Sequence, residues 1–467
     1  MDTAADTADT ANTARGERRT DIAATRPPRR AAGSGLRGDL LAVGVAGGLF
    51  ALAVAVGAVL RQRGVLILAE SAPLVGDLDP HVGPGTLPAI AVAALVAVSG
   101  RTAAHRLPWW GVLLAASVAA TAWALSLAMV SGWQEGIAGR LTEPTEYLGD
   151  VDRVGSVLLF LQHFSDSVML GSDQPWRTHV AGHPPGALLA FVALHRIGLD
   201  GGAAAAMVCL LAGVSAVPAV ASTVKAVAGE EPARAVLPYL VLFPGFVWAA
   251  VSADALFMAV GAWGLLALAL AGRRLGAAAA ALSVLAGLLL GATLFLSFGM
   301  VLLAPLAVAL AWRQRAWVQL VTAGVASLGV VAGFALAGWW WWDGFLLVRE
   351  RYLQGWGGAR PYSYWAWADM AALLAAVGPA TVAGLRRCLR DPDGAGAYRL
   401  LPLVALGIVL TAAATGLSKA EVERIWLPFA IWLPVACAAL PAVGSRWWLA
   451  AQAATALAVE HLVRVPW

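Results

Sequence analysis

Thirteen apolar segments follow one another along this 467-residue chain, and they constrain its fold more than any other feature. A helix needs about 20 apolar residues to cross a bilayer, so the shorter segments must be tilted or buried among other helices. Only 13% of the residues are charged, against about a quarter in a soluble domain, which excludes a cytosolic globular enzyme. We predict an all-α, polytopic membrane protein with about 13 transmembrane helices. The segments lie at 41–60, 86–100, 108–131, 201–226, 235–251, 255–272, 276–297, 298–312, 317–340, 366–385, 398–416, 424–441 and 447–463.

The first 38 residues are polar and rich in arginine, and they lack the early apolar run of a signal peptide. We predict a disordered, cytoplasmic basic tail at 1–38 and a transmembrane domain at 39–467. A further segment, 184–199, is apolar but contains His195 and Arg196. Most of the 32 Lys and Arg residues fall on the inner face only if this segment does not cross. We therefore predict a re-entrant or surface-lying 184–199 and a cytoplasmic N-terminus.

This topology places the acidic loops on the extracytoplasmic face, and the longest of them is 132–183. Five of its apolar residues recur at helical spacing: Val157, Phe160, Leu161, Phe164 and Val168. The spacing predicts an amphipathic helix lying in the membrane interface. Glu146, Asp150 and Asp152 precede this helix and are candidate catalytic acids, with Asp150 or Asp152 as the general base. The alternative is that Asp150 or Asp152 only caps the helix.

Farther along, His179-Val180-Ala181-Gly182-His183-Pro184-Pro185-Gly186 opens the ambiguous segment 184–199. Two prolines favour an extended entry into a helix, so these residues also fit a simple helix start. His183 is nonetheless a polar ring placed where the chain re-enters the membrane.

The acidic stretch from Glu146 to Asp152, the helix after it and the His183-Pro184-Pro185 element together resemble the GT-C superfamily of polytopic glycosyltransferases. Ser252-Ala253-Asp254 adds a weaker likeness. The resemblance, nearest to mannosyltransferases and aminoarabinose transferases, implies a polyprenyl-phosphate-linked sugar donor. It also implies that basic side chains hold the donor phosphate. The candidates for that role are His183, His179, Arg349, Arg351, Lys419 and Arg424.

The loop at 61–85 offers a possible second acidic site, formed by Asp77, Asp79 and His81. It leaves open which acid is the base, although a solvated turn has the same composition. No cofactor is certain from the sequence. A divalent cation held by Asp150 with His179 and His183 is possible.

We expect a cell-membrane glycosyltransferase that moves a sugar from a polyprenyl-phosphate donor to an acceptor hydroxyl on the extracytoplasmic face, with inversion. The acceptor is a glycan, a lipid or a protein, and no nucleic acid is expected as a partner because the basic residues form no stripe. The alternative is a multi-pass transporter or lipid flippase, which would place ionisable residues within its spans. A purely structural membrane protein would leave the acidic and His-Pro-Pro motifs unexplained.

Overall fold

The structure is a computed structural model that describes residues 32–390 and 396–465. The chain divides into two units, Met1–Gly38 and Asp39–Trp467. Residues 1–31, which hold most of the predicted tail, lie outside the described residues.

The described residues are almost entirely helical, and nine of their helices are long and apolar enough to cross a membrane. This confirms the all-α polytopic class. The nine are α1 (Ala32–Gln62), α2 (Thr86–Arg106), α3 (Trp109–Ala128), α4 (Gly201–Ala228), α5 (Asp254–Ala271), α6 (Gly276–Thr293), α7 (Trp317–Leu336), α8 (Tyr362–Arg390) and α9 (Leu400–Thr415, after a 3₁₀ turn at Ala397–Arg399).

Helices α5 and α8 form the centre of the bundle, because 78% and 72% of the residues in their most apolar 18-residue stretches are buried. In α7 the corresponding share is only 6%. Successive pairs pack side by side: α4 against α5, α5 against α6, and α6 against α7. The N-terminal end of α8 carries the loop that later joins the candidate site, so the site is built on the most buried part of the molecule.

Three of the thirteen predicted segments are broken by proline. Segment 235–251 becomes a helix at Glu230–Val241 and a 3₁₀ turn at Pro244–Trp248, because the residue before Pro244 is held out of the helical conformation. Segment 298–312 becomes a 3₁₀ turn and an 11-residue helix, Phe298–Leu303 and Ala304–Gln314. Segment 424–441 becomes three short pieces: Val422–Ile425, Leu427–Ala430 and Leu433–Ala439.

The last predicted segment, 447–463, is the 18-residue helix Ser445–Leu462, which is less apolar than the nine. The ambiguous segment 184–199 is the helix Pro185–Arg196. Its 12 residues give a length of about 18 Å, well short of a hydrocarbon core of about 30 Å. Pro185 begins this helix and Pro184 caps it in an extended conformation, as the two prolines predict.

Helix α8 is interrupted in the middle of its apolar run. Gly378 has φ +74°, which only glycine adopts freely, and Pro379 follows it. Gln452 fills the break: its Nε2 donates to the carbonyl of Val377 at 2.5 Å, and its Oε1 accepts from the backbone N of Ala380 at 3.2 Å. One amide side chain thus satisfies the backbone groups that the break frees.

The remaining helices lie in the connections. They are Gln134–Ala138, Arg140–Thr142, Tyr147–Arg153, Val157–His163, Phe164–Ser167, Thr178–Ala181, Trp341–Gln354 and Trp356–Ala359. Two two-residue strands, Asp77–Leu78 and Val463–Arg464, pair antiparallel.

Candidate functional site

The predicted amphipathic helix is present but short. It runs from Val157 to His163, is capped by Ser156, and continues as the 3₁₀ turn Phe164–Ser167. Phe160 and Phe164 pack on Trp176, with ring centroids 5.7 Å apart in both pairs. The apolar face is therefore buried against the protein itself, and it fixes the fold of the acidic loop.

The predicted acids lie on or beside the 3₁₀ helix Tyr147–Arg153, and each has a different environment. Asp150 is buried and fully engaged: Oδ1 accepts from Arg153 Nη1 at 3.0 Å and Oδ2 accepts from the backbone N of Arg177 at 2.9 Å. It ties the two ends of the loop together. Asp152 has 90% of its side chain exposed. Glu146 is 3% exposed and lies just before the 3₁₀ helix.

Glu146 is joined to a distant loop through one histidine. His179 Nδ1 lies 2.9 Å from Glu146 Oε1 and 3.0 Å from the carbonyl O of Thr145, while its Nε2 lies 2.9 Å from Arg424 Nη2. An arginine only donates, so Nε2 must accept and Nδ1 must carry the proton. The contacts thus assign an Nδ1–H that donates to the carbonyl O of Thr145, with Glu146 Oε1 2.9 Å from the same nitrogen.

Arg424 is held on its other side by two carboxylates. Nη1 donates to Asp254 Oδ2 at 2.9 Å, and Nη2 donates to Glu421 Oε2 at 2.6 Å. Asp254 also accepts from the hydroxyl of Ser252 at 2.6 Å. Burial alone would lower the pKa of Arg424, but the carboxylates of Glu421 and Asp254 outweigh it and raise the pKa above its usual value.

Arg360 closes the network from the loop before α8. Its Nη1 donates to Glu421 Oε1 at 3.1 Å and to the carbonyl O of Lys419 at 2.8 Å, and its Nη2 donates to the carbonyl O of Leu68 at 3.2 Å. Arg360 is 5% exposed. We use the name Arg424 cluster for Glu146, His179, Asp254, Arg360, Glu421 and Arg424.

The turn that carries Glu421 and Arg424 is strained. Ala420 and Glu421 have φ +66° and +62°, a region that costs a non-glycine residue about 1–3 kcal/mol. The turn is held by the backbone N of Ala420, which donates to Asp369 Oδ1 at 3.0 Å, and by the backbone N of Lys419, which donates to Tyr352 Oη at 3.1 Å. The surrounding contacts thus fix the direction of the two side chains.

His183 lies beside the cluster and is partly buried. Its Nδ1 donates to the carbonyl O of His179 at 2.7 Å, and its ring packs against Tyr147 and Phe257. Burial lowers the pKa of His183 to about 4, so the ring is neutral at neutral pH. Burial also raises the pKa of Tyr147 well above its usual value, so this phenol stays protonated.

The predicted basic residues are divided between two elements. Arg349 and Arg351 lie on the helix Trp341–Gln354, where Arg349 is exposed and Arg351 is half-buried. Lys419 Nζ donates to the carbonyl O of Arg360 at 2.8 Å and lies 5.8 Å from the ring of Tyr352. Lys419 therefore lies at the edge of the cluster beside Tyr352, the residue that directly follows Arg351 in the chain.

The second acidic set, Asp77, Asp79 and His81, lies on a different surface, against the C-terminal strand. Asp77 pairs with Arg464 in the two-residue ladder, and Asp79 Oδ2 accepts from Arg464 Nε at 2.6 Å. His81 Nε2 lies 3.1 Å from the hydroxyl of Ser131. These contacts tie the loop 61–85 to the end of the chain.

For a metal ion, the described part of the chain contains no group of three or more His, Cys, Asp or Glu side chains suitably placed. Of the residues that the sequence offers, Asp150 is paired with arginines and His179 Nε2 accepts from Arg424. A divalent cation stays a prediction.

Three members of the cluster, Asp254, Arg360 and Glu421, were not singled out as site residues from the sequence. Arg360 lies in Ala359-Arg360-Pro361, where no motif marks it. Asp254 is part of the weak Ser252-Ala253-Asp254 likeness, and its junction between two apolar segments was the available signal.

Solved structures that align with more than two thirds of this chain include two proteins of low sequence identity. An apo crystal structure of ArnT from Cupriavidus metallidurans has 15% identity and a TM-score of 0.45, covering 69% of this chain. The Archaeoglobus fulgidus oligosaccharyltransferase, in complex with Zn and sulfate, has 15% identity and a TM-score of 0.43, covering 74% of this chain. The match spans 58% and 53% of those two proteins.

No family model matches this chain, and no curated protein matches it.

Proposed function

We propose that this protein is a membrane glycosyltransferase that moves a sugar from a polyprenyl-phosphate donor to an acceptor hydroxyl on the extracytoplasmic face. The observation that carries the proposal is the buried chain of contacts from Glu146 through His179 to Arg424. Burying charges in an apolar bundle costs free energy, so buried charges in membrane proteins are paired or serve a function. Here the carboxylate of Glu146 lies beside the oriented ring of His179.

Glu146 is the proposed general base. Both oxygens of Asp150 are occupied by arginine donors, and Asp152 is exposed to solvent. Among the described residues, the polar contact of Glu146 with another side chain involves only Oε1. A base needs an oxygen that can receive the acceptor proton, and this contact leaves Oε2 for it.

In the proposed reaction, the acceptor oxygen attacks the anomeric carbon as its proton passes to Glu146. The bond between the anomeric carbon and the phosphate oxygen breaks, and the polyprenyl phosphate leaves from the opposite side with the electron pair. This single displacement inverts the anomeric configuration. The base acts as the bond forms, so a carboxylate of ordinary pKa suffices.

Lys419 and Arg351 are the proposed ligands of the donor phosphate. Lys419 lies at the edge of the cluster beside Tyr352, which directly follows Arg351 in the chain, whereas Arg424 is committed to Asp254 and Glu421. A cation near the leaving phosphate offsets the charge that develops there. His183 is neutral and acts in this scheme through hydrogen bonding.

The test uses purified protein in nanodiscs with undecaprenyl-phosphate-linked mannose, glucose and arabinose, each with a labelled sugar. Release of undecaprenyl phosphate is measured with and without a membrane glycolipid extract as acceptor. Glu146→Gln is expected to lower the rate by about 10²–10⁴-fold, the usual contribution of a general base. Asp173→Asn, an exposed acid of the same loop, is the matched control.

Asp150→Asn separates the two acids. If Asp150→Asn abolished turnover in well-folded protein while Glu146→Gln did not, Asp150 would be the base instead. No release from any of the three donors, with or without acceptor, would count against the glycosyltransferase itself.

A transporter or lipid flippase is the second candidate, and the break in α8 favours it. Transporters often use interrupted helices, and α8 combines the Gly378 break with the buried Asp369. However, Gln452 satisfies the broken backbone, and Asp369 holds the 420–421 turn. Vesicles that moved undecaprenyl-phosphate-mannose across the bilayer without sugar transfer would favour this candidate.

A further inference from the structure

A groove of about 270 Å³ opens next to the acidic 3₁₀ helix Tyr147–Arg153. Its floor is apolar and includes Leu148, Phe191 and Leu194. Its rim is polar and includes Asp152, His195 and Asp200. We propose that this groove binds one sugar unit of the acceptor, through two neighbouring hydroxyl groups. The inference rests on the proposed function and names the substrate class for it.

The rim presents two polar atoms at a fixed spacing. His195 Nδ1 lies 2.5 Å from Asp200 Oδ1, so Nδ1 donates to that carboxylate and Nε2 stays available for a ligand. That Nε2 lies 4.0 Å from Asp152 Oδ1. Atoms at this distance form no hydrogen bond with each other, but each can form one with a hydroxyl of a vicinal diol. Vicinal diols are the characteristic edge of a sugar ring.

The floor fits the other part of the same ligand. The faces of a sugar ring carry C–H groups that pack on apolar side chains, and Leu148 and Leu194 line the groove. The volume is just below the roughly 300–1,000 Å³ of typical small-molecule sites, so the groove holds one ring rather than an oligomer.

The position of the groove relates it to the acid. Leu148 and Asp152 lie on the same 3₁₀ helix as Tyr147, which directly follows Glu146. Tyr147 stacks on Phe191 at 5.1 Å and on His179 at 6.0 Å. Tyr147 therefore connects Phe191, which lines the groove, with His179, which lies beside Glu146. A sugar unit in the groove is a neighbour of the reacting unit, and its binding orients the acceptor hydroxyl.

Binding is tested without turnover. Saturation-transfer NMR on the protein in nanodiscs, free of glycoside detergents, compares cis-1,2-cyclohexanediol with cyclohexanol and ethylammonium as probes. We expect the diol to bind more tightly than either. His195→Phe keeps an aromatic ring but removes the Nε2 that would bond to a hydroxyl. We therefore expect it to weaken diol binding about fivefold, the effect of one lost hydrogen bond. The matched control is His163→Phe, an exposed histidine of the acidic loop that does not line this groove.

Three results would overturn the inference: equal binding of cyclohexanol and the diol, tighter binding of ethylammonium, which would indicate a cation site, or no effect of His195→Phe. A kinetic measurement complements the binding. With a glycolipid acceptor, His195→Phe and Asp200→Asn should raise the acceptor KM about fivefold or more. Failure of donor turnover would refute the proposed function alone, because the diol measurement does not depend on it.

Discussion

At the scale of single residues, the His179 ring holds the candidate site together through its two nitrogen atoms. His179 accepts at Nε2 from Arg424 and carries its proton at Nδ1, beside Glu146. The ring of His179 therefore connects Arg424, late in the chain, with Glu146, early in the chain. His179 and Arg424 were both candidates from the sequence. Nothing in the sequence indicated that they pair, because they are 245 positions apart.

Two substitutions separate the two halves of this bridge. In His179→Asn the amide nitrogen reaches the Nδ1 position and can still donate to Glu146, whereas in His179→Gln the amide reaches the Nε2 position and leaves Glu146 without that donor. We expect sugar-transfer kcat to fall about tenfold or less in His179→Asn and about 10²-fold in His179→Gln, with donor KM unchanged. Equal losses in both variants, measured on protein of equal thermal stability, would indicate a structural role only.

Glu423 provides a pH-dependent test of stability. It is fully buried, its Oε2 has no hydrogen-bond partner among the described residues, and burial raises its pKa from 4.5 to about 7. Between pH 4.5 and 7 the folded state therefore holds a proton that the unfolded state releases. This lowers the free energy of unfolding as the pH rises, by about 3 kcal/mol across that window, with no further change above pH 7.

Thermal unfolding from pH 5 to 8 measures this effect. Glu423→Gln removes the titrating group at constant size, so the fall in melting temperature with pH should become shallower. Glu350→Gln, an exposed acid, is the control and should keep the wild-type slope. A wild-type slope in Glu423→Gln would show that other groups are responsible.

At the scale of elements, hydropathy predicts where the chain is apolar but not where a helix stops. The nine long helices coincide with nine of the thirteen predicted segments. Segments 235–251 and 424–441 stay apolar throughout, yet Pro244, Pro428 and Pro434 divide them into short pieces. An uninterrupted apolar segment therefore does not imply an uninterrupted helix.

Helix α8 shows what such a break requires. The freed carbonyl of Val377 and N–H of Ala380 are satisfied by Gln452, a residue on another helix more than 70 positions away. Sequence reading had no means of connecting them, since the match is made only by tertiary packing. The acidic loop was easier to predict, because its helix is capped and patterned locally.

Gly378→Ala tests the break directly. The new Cβ would clash with Gln452 Oε1, at a backbone conformation that only glycine adopts freely. We therefore expect the free energy of unfolding to fall by about 1–3 kcal/mol. Gly333→Ala in α7 is the matched control, because a Cβ there meets nothing within 4 Å. Melting temperatures in nanodiscs should fall for the first variant and not for the second. Equal melting temperatures would mean that the break tolerates a side chain.

At the scale of the whole molecule, the predicted orientation decides on which side of the membrane the Arg424 cluster lies. The loops that carry Glu146, His179, Arg360 and Arg424 are predicted to be extracytoplasmic, and the structure brings them into one cluster. Loops that meet in one cluster must lie on one side of the bilayer, so the shared contacts favour that part of the topology.

Cysteine labelling tests the orientation itself. The three native cysteines are buried, so an introduced cysteine gives a clean signal. A membrane-impermeant maleimide should label Asp173→Cys in intact cells, and it should label Arg274→Cys only after permeabilisation. The reverse pattern would place the cluster on the cytoplasmic face and exclude an extracytoplasmic reaction.

The strained turn at Ala420 and Glu421 also bears on how the protein is made. Glu146 and His179 enter the membrane early in synthesis, but Arg424 is translated more than 240 residues later, after all nine long helices. Until that turn docks on Asp369 and Tyr352, the early histidine has no partner at Nε2. A partly inserted chain thus carries the acid without the arrangement that orients it, so competence for the proposed reaction arises only after the turn at Ala420 and Glu421 has docked.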